Sequence, residues 1–481
     1  MKRLLVLFLF AASAFPALSQ TYLQYNSRTL FDASENPVSK AFYADTSRRF
    51  AFNFFLPTIT SNAAFTGEGN VTFKSMIFEG VTKTQDLAIG EGKVNRLVLS
   101  GNTYLVAFRM LKGVKYNKEL GITWQVRNDG NFKITNESLG IFGSVSRFTQ
   151  TDYADIFNNS GYNVSYHQFA FNYREDLNKR LSVGVKLSYL SGITYNRVNV
   201  SKSAFSADTD NDSYDIYLKG RYRSNIGYNE DFDQSYLNPG FQNPGAAITL
   251  GMSYKFRGGY YLMANVKDLG GIKWNNELYQ YDLDQTFTVN QASQPGSISR
   301  LKTSLRNTIR SSVKQTGFLS PINSKAEILI NKDYNNYQPN LILSKSLFNY
   351  AGDLVLVNNY HVKNMVFSLS TGYNTAKYLG IGAQFMVKNE NTEFFIGSDQ
   401  LFKTVNTIKA ASASDASIST GHTAASFNIG FSAKFGPVLE HMMNASRIPG
   451  IDNPREGEGF FRRIFHKRGK SKKYDNKEPK F

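Results

Sequence analysis

The sequence predicts an all-β protein, a transmembrane antiparallel up-and-down β-barrel of about 14 strands (range about 12–16) with long extracellular loops. Three observations support this fold class. Apolar residues alternate with small or polar ones along many short segments, long connections occur at only one end of the predicted strands, and an export signal opens the chain. After that signal, no apolar run is long enough to form a membrane-spanning helix.

Residues 1–19 have the three parts of a secretory signal peptide. Two basic residues precede the apolar run 4–12, and Ala17 and Ser19 are small residues at the spacing of a cleavage site. We expect cleavage after Ser19 and export from the cytoplasm. The alternative, an uncleaved anchor helix, is disfavoured because the apolar run is short for a membrane span.

The composition is compatible with a barrel. The chain contains no cysteine, so disulfides do not stabilise it after export. A closed sheet in lipid leaves no strand edge unpaired, so the barrel does not need disulfide bonds for stability. Aromatic residues make up 14% of the chain, with 38 Phe and 28 Tyr, as expected of aromatic girdles at membrane interfaces.

The stretch 180–192, RLSVGVKLSYLSG, shows the alternation clearly. Val185 and Leu187 belong to its apolar face, whereas Lys186 and Ser188 belong to the other face. In a soluble sandwich the second face would carry many Lys, Glu and Thr. Here and in the other segments it is mostly Gly, Ser, Ala, Asn and Gln, which indicates a crowded, wet barrel interior.

Connection lengths provide an independent test of the barrel. The predicted strands are 49–58, 103–112, 118–127, 164–173, 180–193, 245–256, 258–268, 324–332, 338–348, 352–360, 363–373, 377–388, 390–400 and 424–436. Every long connection follows an odd-numbered strand: 59–102, 128–163, 194–244, 269–323 and 401–423. A barrel with both termini in the periplasm has short turns there and long loops outside, so this parity favours an outer-membrane barrel.

The chain therefore divides into a signal peptide, an N-terminal segment 20–48 that can plug the lumen, a barrel 49–436 and a basic periplasmic tail 437–481. The tail contributes much of the net charge of +17. Two interpretations stay open: a solvated flexible tail, and a surface that binds anionic lipid, a periplasmic protein or the cell wall. Because the protein is exported, we expect no nucleic-acid partner.

Side-chain parity assigns five charged residues to the lumen as candidate ligand-binding residues: Lys186, Lys255, Glu393, Asp399 and Lys434. Asp268 is a sixth candidate, through the motif that it begins.

The segment from Asp268 to Trp274 is the sharpest local motif. In a functional interpretation, Asp268 pairs with Lys186 or Lys255. In a structural one, which we favour, Gly270 and Gly271 form a bulge and Trp274 anchors at the outer interface.

Two of the long connections carry recognisable patterns. Residues 297–316 predict a basic amphipathic helix, which contacts lipopolysaccharide phosphates, closes the barrel mouth, or packs on its own loop. Residues 411–420 are low in complexity and predict a mobile outer loop.

No pattern indicates an enzyme. The five histidines do not have metal-ligand spacing, and His167 shares parity with outward aromatic residues. Gly-x-Ser-x-Gly and phosphate-binding loops are absent from the sequence. We therefore expect no catalytic activity, no metal and no cofactor.

Three segments carry a family resemblance: 178–192, 246–274 and LSPINSKAEILI at 319–330. They resemble an uncharacterised family of Bacteroidota outer-membrane barrels with a domain of unknown function, over roughly residues 25–436. Asn36-Pro37 is similar to an Asn-Pro-Ala element near the start of such barrels, with Val38 in place of Ala. That family is distantly similar to the long-chain fatty acid transporters and to barrels linked to type IX secretion and gliding, and the resemblance implies no established activity.

Two function classes follow. The first is an outer-membrane barrel that binds or passively transports a small, hydrophobic ligand. The second is a non-transporting scaffold, associated with secretion or gliding, that holds periplasmic partners through its tail. In both, outer-membrane lipid and lipopolysaccharide surround the barrel.

Overall fold

The structure is a computed structural model. It describes residues 22–42, 48–113, 117–141, 143, 147–208, 210–226, 238–275, 278–292, 294, 296–311, 313–348, 352–438 and 460–461. The predicted signal peptide and most of the predicted basic tail lie outside the described residues.

Twenty strands and five α-helices make up the described chain. The strands are β1 (Arg48–Phe52), β2 (Thr58–Thr66), β3 (Val94–Gly113), β4 (Lys118–Thr135), β5 (Asp152–Ala154), β6 (Ser160–Asp176), β7 (Leu181–Asp208), β8 (Ser213–Ser224), β9 (Pro244–Lys255), β10 (Tyr260–Trp274), β11 (Tyr279–Asn290), β12 (Val313–Gln315), β13 (Phe318–Pro321), β14 (Lys325–Lys332), β15 (Tyr337–Ser346), β16 (Gly352–Val362), β17 (Met365–Asn374), β18 (Tyr378–Lys388), β19 (Thr392–Ser398) and β20 (Thr423–Val438). The helices are α1 (Leu30–Glu35), α2 (Asn70–Lys74), α3 (Asn136–Gly140), α4 (Ser297–Ser311) and α5 (Leu401–Ala413), with single helical turns at Tyr22–Gln24, Ser75–Glu79 and Ala416–Ile418.

The strands close into an antiparallel barrel. The ring runs β3-β4-β6-β7-β9-β10-β14 and then β15 through β20. Strands β1 and β2 together occupy one strand position, between β20 and β3. Each of them pairs with β20 on one side and with β3 on the other. Counted this way the barrel has 14 strands, so the predicted fold class is confirmed.

The two ends of the barrel differ as the connection lengths predict. One end, called here the turn end, carries short turns such as 177–180, 256–259 and 363–364, together with the start of β1 and the end of β20. The other end, the loop end, carries the long connections. The predicted loop 59–102 is shorter in the structure, because β2 continues to Thr66 and β3 begins at Val94.

Side chains on the wall alternate as the sequence predicts. Along β7, Leu187 is 51% exposed and faces outward, whereas its neighbour Lys186 is 1% exposed and faces the lumen. The outward rows are apolar on strand after strand, and the inward rows are mostly small or polar. Such a surface is stable only where hydrocarbon covers the outside, because water would meet a continuous apolar belt.

The same sheet continues beyond the barrel at the loop end, and this extension is called here the outer sheet. Strand β7 continues past the wall, where it pairs with β5 and β8, and β8 pairs with β11. Helix α4 forms within the predicted amphipathic segment, and its Leu301 packs with Phe205 and Phe287 in an outer cluster. The helix therefore packs its apolar side on β11 of its own connection and on β7.

Helix α5 completes the wall where β19 stops, and the sequence was interpreted there as a loop. The β19–β20 ladder ends at Gly397 and Asn428. Beyond it, the Thr404 hydroxyl accepts from the Ser426 N–H at 2.9 Å, and the Thr407 hydroxyl donates to the Ala424 carbonyl at 3.0 Å. Helix side chains thus satisfy backbone groups that a strand would otherwise pair.

None of the described helices is long and apolar enough to cross a membrane.

Candidate functional site in the barrel lumen

Residues 22–42, the lumen segment, lie inside the barrel. The segment forms one helical turn and helix α1, whose first turn is capped by the Thr29 hydroxyl accepting from the Asp32 N–H at 3.1 Å. Nearly all of its residues are buried. Two small cavities of about 50 and 10 Å³ lie beside it. The described lumen is therefore filled with protein over the height of this segment.

A first set of contacts holds the segment to the β14–β20 side of the wall. The Tyr25 hydroxyl donates to Glu327 at 2.7 Å, and Lys267 pairs with Glu327 at 2.9 Å. Nearer the turn end, Glu393 accepts from the Leu30 N–H at 2.8 Å and pairs with Lys434 at 2.7 Å. Each buried carboxylate thus meets both a cation of the wall and a donor of the segment.

A second set surrounds Glu35 at the end of helix α1. Its carboxylate accepts from Asn102 at 2.6 Å, from the Tyr104 hydroxyl at 2.7 Å and from Arg127 at 2.9 Å. Arg127 also forms an ion pair with Asp268. Because all of these groups are withdrawn from bulk water, losing one partner leaves a buried charge unpaired.

A third set, near the turn end, consists of two buried arginines. Arg109 donates to the carbonyls of Pro37 and Ser39 at 3.3 and 3.2 Å, and Arg174 donates to the Val38 carbonyl at 2.7 Å. Glu119 pairs with Arg109 at 2.8 Å, although it is fully buried.

Close packing accompanies these polar contacts. A Cβ at Gly184 would lie 2.5 Å from the Pro37 carbonyl, so only glycine fits at that point of the wall.

The predicted motif at Asp268 is organised differently from either interpretation. The bulge lies between Val266 and Leu269, and Asp268 itself takes the left-handed conformation with φ 52°. The bulge therefore lies before Gly270 and Gly271, the two residues where the sequence predicted it. Those glycines instead allow close approach: a Cβ at Gly270 would meet the Ala246 carbonyl and one at Gly271 the Ser320 carbonyl.

The predicted partner of Asp268 and the predicted position of Trp274 were wrong. Asp268 pairs with Arg127, whereas Lys186 donates to the Ser34 carbonyl at 3.3 Å. The bulge reverses side-chain parity, so Trp274 points inward at the loop end. There it is 1% exposed, and its indole N–H donates to Ser320 at 3.0 Å. It does not anchor in the lipid interface.

The remaining lumen candidates do not form one site. Glu393 and Lys434 form an ion pair at the turn-end half of the lumen. Lys255 lies exposed at the rim of the turn end, and Asp399 lies half-buried beside helix α5, where its N–H donates to Ser426. The inward direction given by sequence parity fits the buried Glu393 and Lys434, whereas Lys255 and Asp399 lie at or beyond the ends of their strands.

The wall is broken between β1 and β2. Pairing with β3 moves from Phe52–Phe108 directly to Thr58–Tyr104, so residues 53–57 leave the ladder. Phe54 and Phe55 take the left-handed conformation, and Phe55 is 72% exposed on the outside. On the β20 side the register moves from Phe52–Ala433 to Ile59–Ile429.

The Asn53 side chain compensates for part of this break. It donates to the carbonyls of Leu56 and Leu105 at 3.0 and 3.1 Å and accepts from the Ala107 N–H at 3.0 Å. Backbone groups that lose their strand partner are thereby satisfied, which makes the break a stable feature of the wall.

An apolar cluster lies directly behind the break. A second apolar cluster inside the barrel, between the lumen segment and β14–β16, lies away from the break. Phe31 of the lumen segment packs against Tyr104 and Phe395, with ring centroids 5.4 and 5.7 Å apart. The 10 Å³ cavity lies here, lined by Leu30, Phe31, Asn53 and neighbours. An apolar side chain of the segment thus closes the break from inside.

Lysine side chains hold the loop before β20 at the loop end. Lys74 donates to the Gly421 carbonyl at 2.7 Å and Lys403 to the Thr420 carbonyl at 2.6 Å. Burial, followed by the charges of Lys403 and Lys74, lowers the pKa of His422 to about 4. In the described part of the chain, no three potential ligand side chains come together to hold a metal ion.

Comparisons with solved structures find matches that cover most of this chain at low TM-scores. The Pseudomonas putida toluene transporter TodX gives a TM-score of 0.38 at 8% identity, covering 84% of this chain and 93% of that one. A TodX monoaromatic hydrocarbon channel mutant gives 0.43 at 8% identity, covering 88% and 96%. A Pseudomonas aeruginosa FadL homologue gives 0.41 at 9% identity, covering 84% and 94%.

No curated protein matches the chain significantly. A family model, in contrast, matches residues 44–399, most of the barrel. The chain belongs to DUF5723, a family of unknown function.

Proposed function

We propose that this protein is an outer-membrane barrel that binds a small hydrophobic molecule and admits it through the break in the wall. One observation carries the proposal: residues 53–57 leave the ladder at the place where the lumen is apolar. A break in the wall with an apolar cluster directly behind it is what a hydrophobic molecule from the membrane would need.

The lumen segment acts as a plug in this proposal. Phe31 occupies the space behind the break, so a ligand enters only when residues near Phe31 move or when the ligand takes the place of the ring. The polar anchors at Glu35 and Glu393 flank Phe31 in space, on the two sides of the break. They restrict that movement.

The test uses a photoreactive alkyl diazirine dissolved in vesicles that contain the full chain. In Phe31→Ala, the lost ring leaves a cavity behind the break, and apolar cavities of comparable size bind small hydrocarbons. We expect covalent label on Leu30 and Phe395 in this variant, several times more than in the wild type. Peptide mass spectrometry locates the label.

The matched control is Phe65→Ala, which removes a buried ring near the loop end, away from the break. It should leave labelling of Leu30 and Phe395 at the wild-type level. If Phe31→Ala labels only outward residues such as Phe54 and Phe55, the break does not admit hydrophobic molecules and the proposal fails.

A second candidate function, a scaffold that binds periplasmic partners through the tail 437–481, has one supporting observation. The N–H groups of Phe460 and Phe461 donate to Tyr173 and Glu175 at the turn end. This contact favours a tail on the periplasmic side. Co-purification of periplasmic proteins with the full chain, lost on deleting 437–481, would support it, whereas an unchanged set of proteins would count against it.

A further inference from the structure

The outside of the wall carries an apolar recess of about 810 Å³, far larger than either cavity in the lumen. It extends from Val106 on β3 across β4, β6, β7 and β9 to Leu269 on β10. Trp124 and Tyr189 border it on the loop-end side, and Leu187 borders it on the turn-end side. Most exposed barrel surface is convex, so a recess of this size calls for a cause and an occupant.

The cause is a row of small inward side chains. Six residues in direct register on adjacent strands have little bulk: Ala107, Thr123, Ala170, Ser188, Ala247 and Gly270. Because these side chains occupy little of the lumen, the wall can bend inward along the row. The wall along this row then forms the bottom of the recess, and the outward side chains on either side of the row form its rim.

The dimensions of the recess fit one hydrocarbon chain. It crosses six strands spaced by about 4.8 Å, which makes it about 24 Å long. Strands of such barrels tilt by about 45°, so a path perpendicular to them rises about 17 Å across the membrane. One leaflet contributes about 15 Å to the hydrocarbon core. An extended acyl chain of one leaflet therefore matches the path from end to end.

The chemistry of the lining excludes a polar occupant. No lining side chain is charged, and its hydroxyls belong to Thr123 and Ser188, which face inward, and to Tyr189 at the border. Trp124 donates its indole N–H to His167 at 3.3 Å, so this polar group is already paired. A second copy of the chain fits poorly, because a two-fold interface would set one concave patch against another and leave a void.

We propose that this recess binds one acyl chain of an outer-membrane lipid as a resident ligand. The site continues the apolar outer surface of the barrel, which the membrane covers, and it is independent of the entry route proposed for a ligand. Val106 at its end adjoins Ala107, which lies behind the break in the wall. A bound chain would thus support the wall beside its least regular point.

The first experiment measures lipid retained by the full chain after extraction into a mild detergent. Ala246 lines the recess and faces outward, so Ala246→Phe fills it. Leu250→Phe on the same outward face of β9 is the matched control, because Leu250 lies outside the lining. We expect one lipid per barrel in the wild type and in Leu250→Phe, and at least about tenfold less in Ala246→Phe.

The second experiment keeps the test decisive if Ala246→Phe assembles poorly. The chain has two tryptophans, and Trp274→Phe leaves Trp124, at the recess, as the reporter. A phospholipid with brominated acyl chains, added to the detergent-solubilised variant, should quench Trp124 with a saturable phase near one equivalent. Equal lipid retention in the three proteins, quenching that rises linearly without saturation, or a dimer that buries Ala246 would each overturn the proposal.

Discussion

Replacing Glu35 with alanine should raise the population of the open state, in which the lumen segment has left its place. The increase should exceed that caused by replacing an exposed residue. Glu35 is buried and accepts from Asn102, Tyr104 and Arg127 at 2.6–2.9 Å. Removing one partner of a buried ion pair costs about 3–5 kcal/mol, and we take about 3 because Arg127 keeps Asp268. Since about 1.4 kcal/mol corresponds to a factor of ten, the open state should become about a hundred times more populated.

Cysteine labelling measures that population, because the chain contains no cysteine of its own. Ser34, 2% exposed on helix α1, is replaced with cysteine in the wild type and in Glu35→Ala. A membrane-impermeant maleimide then reacts only when the segment leaves its place. We expect the labelling rate of folded, membrane-inserted protein to rise about a hundredfold in Glu35→Ala.

The control is Glu91→Ala, which removes an exposed carboxylate paired with Lys93 at 3.0 Å. Exposed pairs contribute about 0–1 kcal/mol, so the labelling rate of the Ser34→Cys reporter should change by less than about tenfold. The reasoning is refuted if Glu35→Ala and Glu91→Ala label at the same rate. The anchor at Glu35 would then not determine how often the segment opens.

Three further predictions test other parts of the structure. Val185→Arg on the spanning part of β7 should reduce membrane-inserted yield, at a cost of about 2–4 kcal/mol, whereas Val200→Arg on the outer sheet should cost about 0–1 kcal/mol. Thr404→Val should destabilise the barrel by about 1–3 kcal/mol, measured by thermal unfolding, because the Ser426 N–H loses its acceptor, and Thr404→Ser should restore most of it. For His422, the folded pKa of about 4 lies below the ordinary value of 6.5, so its contribution to stability is present above pH 6.5 and lost as the pH falls towards 4. Thermal unfolding of His422→Asn should lack that dependence between pH 6.5 and 4.

The strands were predictable because a barrel wall imposes the same rule on each residue. One face meets hydrocarbon and the other does not, so the period-two pattern appears in the sequence without knowledge of any partner strand. The rule fails where the wall is irregular. The bulge at Asp268 reversed the facing of Trp274, and the break at 53–57 ended the first predicted strand early. Both involve residues in the left-handed conformation, Asp268 at the bulge and Phe54 and Phe55 at the break, and that conformation has no strong local signal in the sequence.

Helix α5 was missed for a related reason. Its outward residues, such as Phe402 and Val405, are apolar, and its threonines bond to the wall. A helix that packs a polar face and exposes an apolar one reverses the usual pattern of a soluble amphipathic helix. The serine- and alanine-rich residues that follow it gave the stronger impression of a loop.

The charged residues of the lumen were partly accessible to the same parity argument. Arg109, Arg127 and Glu327 each lie on the inward face of a predicted strand, as Lys186 does. Applied evenly, parity would have placed them in the lumen with the six candidates. It would not have paired them, because register between neighbouring strands is set by turn geometry and bulges rather than by alternation.

What the alternation leaves open is whether water or protein fills the barrel. A polar inner face suits both, since a charged side chain is stable in water and also stable when buried beside an opposite charge. The difference lies in the acceptors of the buried arginines. In a water-filled lumen Arg109, Arg127 and Arg174 would need no acceptors beyond their wall carboxylates, yet each of them also bonds to the lumen segment, through Glu35 or through backbone carbonyls. The number of inward charges does not reveal a chain segment inside the barrel, whereas the acceptors that these arginines find on the segment do.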